Sequence, residues 1–459
     1  MRIKDYVQAI RNKFGRVPRI GFFGIGVSTL SLLREAIGCE CDIILRSDSE
    51  PPGSILPKLP ITTRILTGGC AMSELSEDAL FLSPSVRRER RHELLAAQSR
   101  GLVLISDAEL FFLDSPQGVY AVSGSDGKST TATLAHALLS EEYPTAALVG
   151  NIGTAFSSAP ESASVYVAEL SSFQLRYMTP HTEAAIITSV TENHLDWHDN
   201  FDEYISVKLS LLEHTDRAVL TADDEICARY LSDNRVFATY SMRLGYCELR
   251  RLYRADLYVT LESGHICING ERTLSISDVS RREWYNLLNL MGAICLTSGH
   301  YSREHLRRVA SEFHGLAHRC ECFFRANGKE YIDSSIDTTP SRTLATLAAL
   351  DRPVSIILGG RGKHLPLGEL CCALKKYAVR IALYGEAGAE YYDELREAGI
   401  TDSVPTALFP LLRGAVDHAD GCESVSTVLL SPAATGYGEF RSYAERGDAF
   451  KKYIKDKHK

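Results

Sequence analysis

Gly124-Ser125-Asp126-Gly127-Lys128-Ser129-Thr130 sets two glycines, a lysine and two hydroxyls in an order suited to binding phosphate. The apolar run Val119–Val122 precedes it and apolar-spaced residues follow, so the pattern reads strand, tight loop, helix. Free backbone N–H groups at a helix start, with the positive end of the helix dipole, make an anion site. Lys128 adds a mobile charge for the β- and γ-phosphates, and the Ser129 hydroxyl can hold Mg²⁺. The seven residues from Gly124 to Thr130 are therefore candidate contacts of a nucleoside triphosphate. The spacing is G-x-x-G-K-S-T, shorter than the general phosphate-loop pattern, which would need glycine where Val122 stands.

Other residues carry chemistry at the ends of predicted strands. Val165–Leu170 reads as a strand that delivers Glu169, a carboxylate placed as a Mg²⁺ ligand beside a phosphate loop. Ala184–Val190 delivers Thr191-Glu-Asn-His194-Leu-Asp196, and a helix bearing Lys208 follows. Asn286 and Asn289 lie three apart on one face of the helix predicted over Trp284–Leu296. Near the N-terminus an apolar strand runs into Gly24-Ile-Gly26, the opening of a dinucleotide-type βα turn whose third glycine is replaced by Thr29. A second strand, Cys41–Leu45, ends at Arg46-Ser47-Asp48, where such a fold touches a ribose or base. Val27, Ser28, Ser47 and Ser83 are candidate contacts for a diphosphate-linked substrate.

Strand and helix signals alternate along all 459 residues. The reading is an α/β protein of three domains. These are a Rossmann-like domain over 1–106, a central ATPase-type domain with a parallel sheet over 107–315, and a Rossmann-like α/β domain over 316–459. A formal net charge of −8 and 24% charged residues give no reason to expect nucleic-acid binding. No run of eighteen apolar residues is present to span a membrane, and Arg11, Asn12, Lys13 and Arg16 interrupt any signal-peptide pattern. Twelve scattered cysteines without a C-x-x-C pair read as reduced thiols of a cytoplasmic protein.

The ordered motifs resemble the Mur ligases of peptidoglycan synthesis. They are Gly-Ser-Asp-Gly-Lys-Ser-Thr-Thr at 124–131, Gly-Asn-Ile-Gly at 150–153, Glu-Leu-Ser-Ser-Phe-Gln-Leu at 169–175, Asn-His-Leu-Asp at 193–196 and Lys208. Gly-Leu-Ala-His-Arg at 315–319, Leu-Gly-Gly-Arg-Gly-Lys at 358–363, Ser-Pro-Ala at 431–433 and Glu-Arg-Gly at 445–447 continue the series. Within the family the pattern is most similar to the members that add D-glutamate to UDP-N-acetylmuramoyl-L-alanine. The resemblance implies ATP, two Mg²⁺ ions, an acyl phosphate and domain closure, in a monomer working in the cytoplasm.

By the same resemblance, Lys128, His194 and Lys208 are catalytic, and Ser129, Glu169, His194 and Lys208 hold the metals. Lys208 would be carbamylated, since an ammonium would repel Mg²⁺ and a carbamate supplies an anionic oxygen. Taken alone, Lys208 reads more plainly as a solvated lysine. Asn286 and Asn289 would pack against adenine, Arg319 would reach the ATP phosphates, and Asp333 would bind the ribose. Asn151 would meet the muramoyl group, and Lys363, Gly436, Tyr437 and Tyr443 would surround the amino acid. Four positions depart from the family pattern: Ser335 for a lysine, Gly436 for a serine, Tyr285 for a histidine and Arg46 for an acidic residue. Two alternatives stay open: a family member adding another amino acid, and a protein that binds UDP-muramoyl groups without ligation.

Overall fold

Five short apolar runs near the N-terminus pair into one parallel sheet: β1 (Arg19–Phe23), β2 (Asp42–Ser47), β3 (Arg64–Thr67), β4 (Ala79–Leu82) and β5 (Val103–Ile105), in the order β3-β2-β1-β4-β5. The computed structural model describes residues 2–24, 27–48, 59–60, 62–68, 75–83, 86, 90–114, 116–178, 180–192, 197–362, 366–436 and 438–458. The strand order reverses at β1, and the carboxyl end of such a reversal is where open α/β sheets take ligands.

A second sheet has nine strands: β6 (Val119–Ser123), β7 (Ala147–Gly150), β8 (Tyr166–Glu169), β9 (Thr182–Ile187), β10 (Thr215–Thr221), β11 (Val236–Ser241), β12 (Ala255–Glu262), β13 (His265–Ile268) and β14 (Glu271–Ser275). Their order is β14-β13-β12-β11-β10-β9-β6-β8-β7, parallel except where β13 meets β12 and β14. Both faces are covered, so β6 is apolar on both sides. Tyr120 and Val122 join a core with Leu134, Leu138, Leu287 and Met291. Val119 and Ala121 join another with Phe156, Leu175 and Leu211. That double burial fixes the strand from which the phosphate loop springs.

A third sheet comprises β15 (Glu321–Ala326), β16 (Lys329–Asp333), β17 (Val354–Gly359), β18 (Ala378–Tyr384), β19 (Thr406–Phe409) and β20 (Thr427–Leu430), in the order β15-β16-β20-β17-β18-β19. Only the β15–β16 pairing is antiparallel. The chain divides into two compact units, Met1–Phe313 with the first two sheets and His314–Lys459 with the third.

Candidate functional site

β6 lies between β9 and β8, so the loop after it leaves the sheet at a reversal of strand order. The loop is tied to the chain beyond β9. Ser125 N–H donates to the Ser189 carbonyl at 2.7 Å, and Asp126 N–H donates to Ser189 Oγ at 3.0 Å. The Ser125 hydroxyl donates to the Thr191 carbonyl and lies 2.8 Å from the Tyr204 phenol. Gly124 has φ +142°, and a Cβ there would sit 2.0 Å from Thr188 Oγ1. Gly127 caps the helix Lys128–Leu139 with φ +80°, and its Cβ would sit 2.2 Å from Asn289 Oδ1. Both positions therefore demand glycine.

Lys128 Nζ donates to the carbonyls of Gly124 and Ser125 at 3.0 and 2.8 Å. Lys208, 84 residues on from Gly124, donates to the same Gly124 carbonyl at 2.7 Å. It is only 2% exposed, with its ammonium 4.8 Å from the centre of the Tyr204 ring. Burial pushes the Lys208 ammonium well below the ordinary lysine range, and the charge of Lys128 pushes the same way; Asp126 and Glu169 pull it back up. Glu169 ends β8, buried to 3% exposure, and its Oε2 has no hydrogen-bond partner among the described residues. A bare buried carboxylate oxygen is a costly group that a divalent cation would satisfy. Ser129 is half-buried in the first turn of the helix. This donor set fits Mg²⁺. His194 lies outside the described residues.

Asn286 and Asn289 are both buried on the helix Trp284–Leu296. Asn289 Oδ1 accepts from Thr131 at 3.4 Å, which places it over the phosphate-loop helix, and Asn286 donates to Glu283 at 3.0 Å. Thr130 is buried and Asp126 exposed. Asn151 is exposed; its side chain donates to Gln174, which closes a capping box with Ser171 after β8.

In the first sheet Gly24 and Ser83 meet at the carboxyl ends of β1 and β4, where a Cβ on Gly24 would sit 2.8 Å from that of Ser83. Ser47 and Ser83 are buried. Arg46 is fully buried against Glu77, with Nε 2.5 Å from Oε1. Its charge is answered inside the sheet, so it does not stand in for a substrate-facing acid. The half-buried pair Arg90–Asp48 lies at the same end. Val27 and Ser28 begin the helix Val27–Ala36, but their side chains lie outside the described residues.

In the second unit Asp333 ends β16, wholly buried, with Oδ2 2.8 Å from His318 Nδ1. Burial alone would raise this carboxyl; the hydrogen bonds from His318 and the Ser335 N–H outweigh it and hold the group below the usual carboxylate range. Lys451 bridges Glu321 and Asp333 at 2.5 and 3.5 Å. Arg319 is exposed. A Cβ on Gly436 would sit 2.7 Å from the Ser442 carbonyl, so the serine of the family pattern has no room there. Tyr443 is 40% exposed, its ring 6.0 Å from that of His318. Lys363 and Tyr437 lie outside the described residues. Reading the sequence missed Tyr204, Lys451 and His318 as side-chain partners. Tyr204 alone left a signal, four residues before Lys208 on one helix face.

Residues 122–297 match the Mur ligase middle domain. The chain is 30% identical to the UDP-N-acetylmuramoylalanine–D-glutamate ligase of Ruminiclostridium cellulolyticum, over 99% of this chain and 98% of that one. The chain belongs to the Mur ligase family. Another relative, the enzyme of the same description from Clostridium kluyveri, is 28% identical over 97% of this chain and 98% of its own. Two solved structures share the Mur ligase fold. The UDP-N-acetylmuramate–alanine ligase of Thermotoga maritima aligns with TM-score 0.57 at 18% identity, over 96% of this chain and all of that one. MurF of Acinetobacter baumannii aligns with TM-score 0.55 at 14% identity, over 97% and 98%. The phosphate loop, Glu169, Lys208 and the paired asparagines of this Mur ligase all fall inside the matched middle stretch.

Proposed function

We propose that this Mur ligase joins D-glutamate to UDP-N-acetylmuramoyl-L-alanine at the expense of ATP, in the cytoplasm and as a monomer. The observation that carries the reading is the convergence of Lys128 and Lys208 on the Gly124 carbonyl, with Glu169 and its unpartnered Oε2 close enough to act on the Lys208 charge. A protein that only bound the sugar nucleotide would have no use for two buried or half-buried lysines and an unsatisfied carboxylate there.

The difficulty of the reaction is that a carboxylate must attack a polyanionic phosphate. The alanyl carboxylate oxygen takes the γ-phosphoryl group from ATP and ADP leaves. The D-glutamate amine then attacks the acyl carbon to form the C–N bond; the nitrogen gives up a proton, the C–O bond breaks, and phosphate leaves with its electron pair. Lys128 swings from the loop carbonyls to the β- and γ-phosphates, and the N–H groups at the start of the helix Lys128–Leu139 cradle them. Mg²⁺, when bound through Ser129, Glu169 and His194, supplies positive charge that offsets this repulsion. Lys208, carbamylated, completes that donor set; its burial lowers its proton affinity and so favours the neutral amine that reacts with CO₂.

Asn286 and Asn289 hold the adenine. In the second unit Asp333 holds the ribose and Arg319 the phosphates. Ser28, Ser47 and Ser83 line the uridine diphosphate end, Asn151 meets the muramoyl group, and Lys363 pairs with the side-chain carboxylate of the incoming amino acid. Domain limits at 106 and 315 divide these tasks.

Phosphate release tests the proposal. The full chain with ATP, Mg²⁺ and UDP-N-acetylmuramoyl-L-alanine should release phosphate with D-glutamate and not with L-glutamate, L-alanine or a diamino acid. Faster turnover with any of those would overturn the D-glutamate assignment, and no turnover with any would overturn ligation.

A further inference from the structure

The helix Tyr443–Lys457 carries Glu445-Arg446-Gly447 near its start. Glu445 belongs to the helix start: its N–H donates to the Ser442 hydroxyl, and its carboxylate accepts from Arg441 N–H. Gly447 lets the helix come close to the buried polar cluster of β16. A Cβ there would lie 2.3 Å from His318 Nδ1, 2.5 Å from Asp333 Oδ2 and 2.5 Å from Ser335 Oγ.

Arg446 between them is wholly buried. Its guanidinium is a fixed cation, yet its four hydrogen-bond partners are neutral. Nη2 donates to the carbonyls of Ser335 at 2.8 Å and Ala434 at 2.9 Å. Nη1 reaches the Gly359 carbonyl at 3.4 Å and the Tyr384 phenol at 3.3 Å. Ser335 follows β16, Ala434 follows β20, Gly359 ends β17 and Tyr384 ends β18. These four strands are neighbours in the sheet, and strand order reverses between β20 and β17. One planar side chain thus spans the carboxyl ends of four parallel strands at the place where such sheets take ligands. The fit is tight: Gly360 has φ +123°, and its Cβ would sit 3.0 Å from Arg446 Nη1. The loops it holds are also laced to each other, Arg361 and Thr435 exchanging backbone hydrogen bonds at 3.0 and 3.1 Å.

We propose that Arg446 is a positioning residue that locks Ser335, Gly359 and Ala434, where the chain leaves β16, β17 and β20, in one register and so shapes the amino-acid subsite beside Gly436. The inference rests on the ligase reading above, by which Gly436, in the chain after β20, belongs to that subsite. A buried guanidinium suits the task because its donors form a rigid fork, whereas a lysine ammonium on a flexible stem cannot hold four oxygens in a fixed geometry. The positive charge placed under the loops also favours the carboxylates of an acidic amino acid over a neutral one. No contact between Arg446 and the amino acid is invoked.

The test compares full-length wild type, Arg446→Lys and Arg446→Ala. Arg446→Lys should raise the KM for D-glutamate about tenfold or more, as loosened loop hydrogen bonds imply, while kcat at saturation changes little. Binding of UDP-N-acetylmuramoyl-L-alanine, a property of the first unit, should be unchanged. Methylguanidinium should restore part of the lost affinity to Arg446→Ala. Hydrogen exchange should quicken at 334–337, 359–362 and 433–436 and not within β17 or β18. A residue that served stability alone would lower kcat and the melting temperature together and leave KM and the local exchange unaltered; that result would overturn the proposal. Failure of both variants to fold would overturn it too. If the wild type used a different amino acid, the ligase reading would be revised, and the KM shift should then be found for that amino acid; its absence would sink the positioning role by itself.

Discussion

Lys128 and Lys208 donate to one carbonyl, that of Gly124, at 3.0 and 2.7 Å. Two cations at one acceptor repel each other, and the buried one yields: the Lys208 ammonium is pushed down by desolvation and then by Lys128. The loop glycine is thus the point at which a local motif and a residue from a distant helix become one site. Lys128 belongs to the half-buried rim, whereas Lys208 is enclosed beside the Tyr204 ring.

Lys208→Ala should lose at least about a hundredfold in turnover, as expected when a preorganised charge-stabilising group is removed. High formate or acetate should restore part of it. Stability should move the other way. Between the lowered folded value and the unfolded value near 10.5, the unfolded chain binds more protons at this lysine, so wild-type stability rises with pH across that window. Lys208→Met should be more stable than wild type at pH 7 and should lack that rise. Denaturant midpoints measured from pH 7 to 10 in CO₂-free buffer check the point; equal slopes for the two proteins would refute it.

Gly127→Ala should impair ATP use and spare binding of the UDP-sugar. The φ of +80° disfavours any side chain, and the new methyl would strike Asn289 Oδ1. Strain of this kind costs about 1–3 kcal/mol, enough for a loss of roughly tenfold to a hundredfold in kcat/KM for ATP. Steady-state kinetics beside calorimetric titration of the UDP-sugar separate the two effects, and unchanged ATP kinetics would contradict the loop geometry.

The Arg46–Glu77 pair should behave as a structural element of the first sheet. Both side chains are wholly buried, so removing one partner leaves an uncompensated charge and should cost about 3–5 kcal/mol. Arg46→Met with Glu77→Leu should recover most of the loss. Urea unfolding of both single variants and the double variant measures this. Single variants that keep full stability and lose affinity for the UDP-sugar would instead make Arg46 a ligand contact.

Gly436→Ser restores the residue of the family pattern and should raise, not lower, the KM for D-glutamate. The added Cβ meets the Ser442 carbonyl at 2.7 Å and must displace the loop that Ala434 and Thr435 share. A lower KM would show that the loop yields and that the serine contact can be rebuilt.

The strand, glycine loop and helix start around Gly124 were legible in the sequence because the pattern is local: an apolar run, two glycines and an apolar-spaced helix lie next to one another along the chain. The alternation of strands and helices was legible for the same reason, since periodicity is a property of neighbours along the chain. Thus Val119–Val122, Val165–Leu170 and Trp284–Leu296 fold much as their patterns read.

Partner choice was not legible, because it depends on strand order. Arg46 read as a departure at a ligand-facing position, and the pairing of β1 with β4 puts Glu77, just before β4, beside it. Lys208 looked like any lysine on an amphipathic helix until the fold returned that helix over the loop and buried it. Arg446 gave no sign of its four partners, which come from segments up to 111 residues away. The sequence by itself determined which segments form strands and helices and where the glycine loop lies between them. Tertiary structure alone decided which charges are buried and what answers them, because desolvation is a property of the whole packed neighbourhood and not of any stretch of chain.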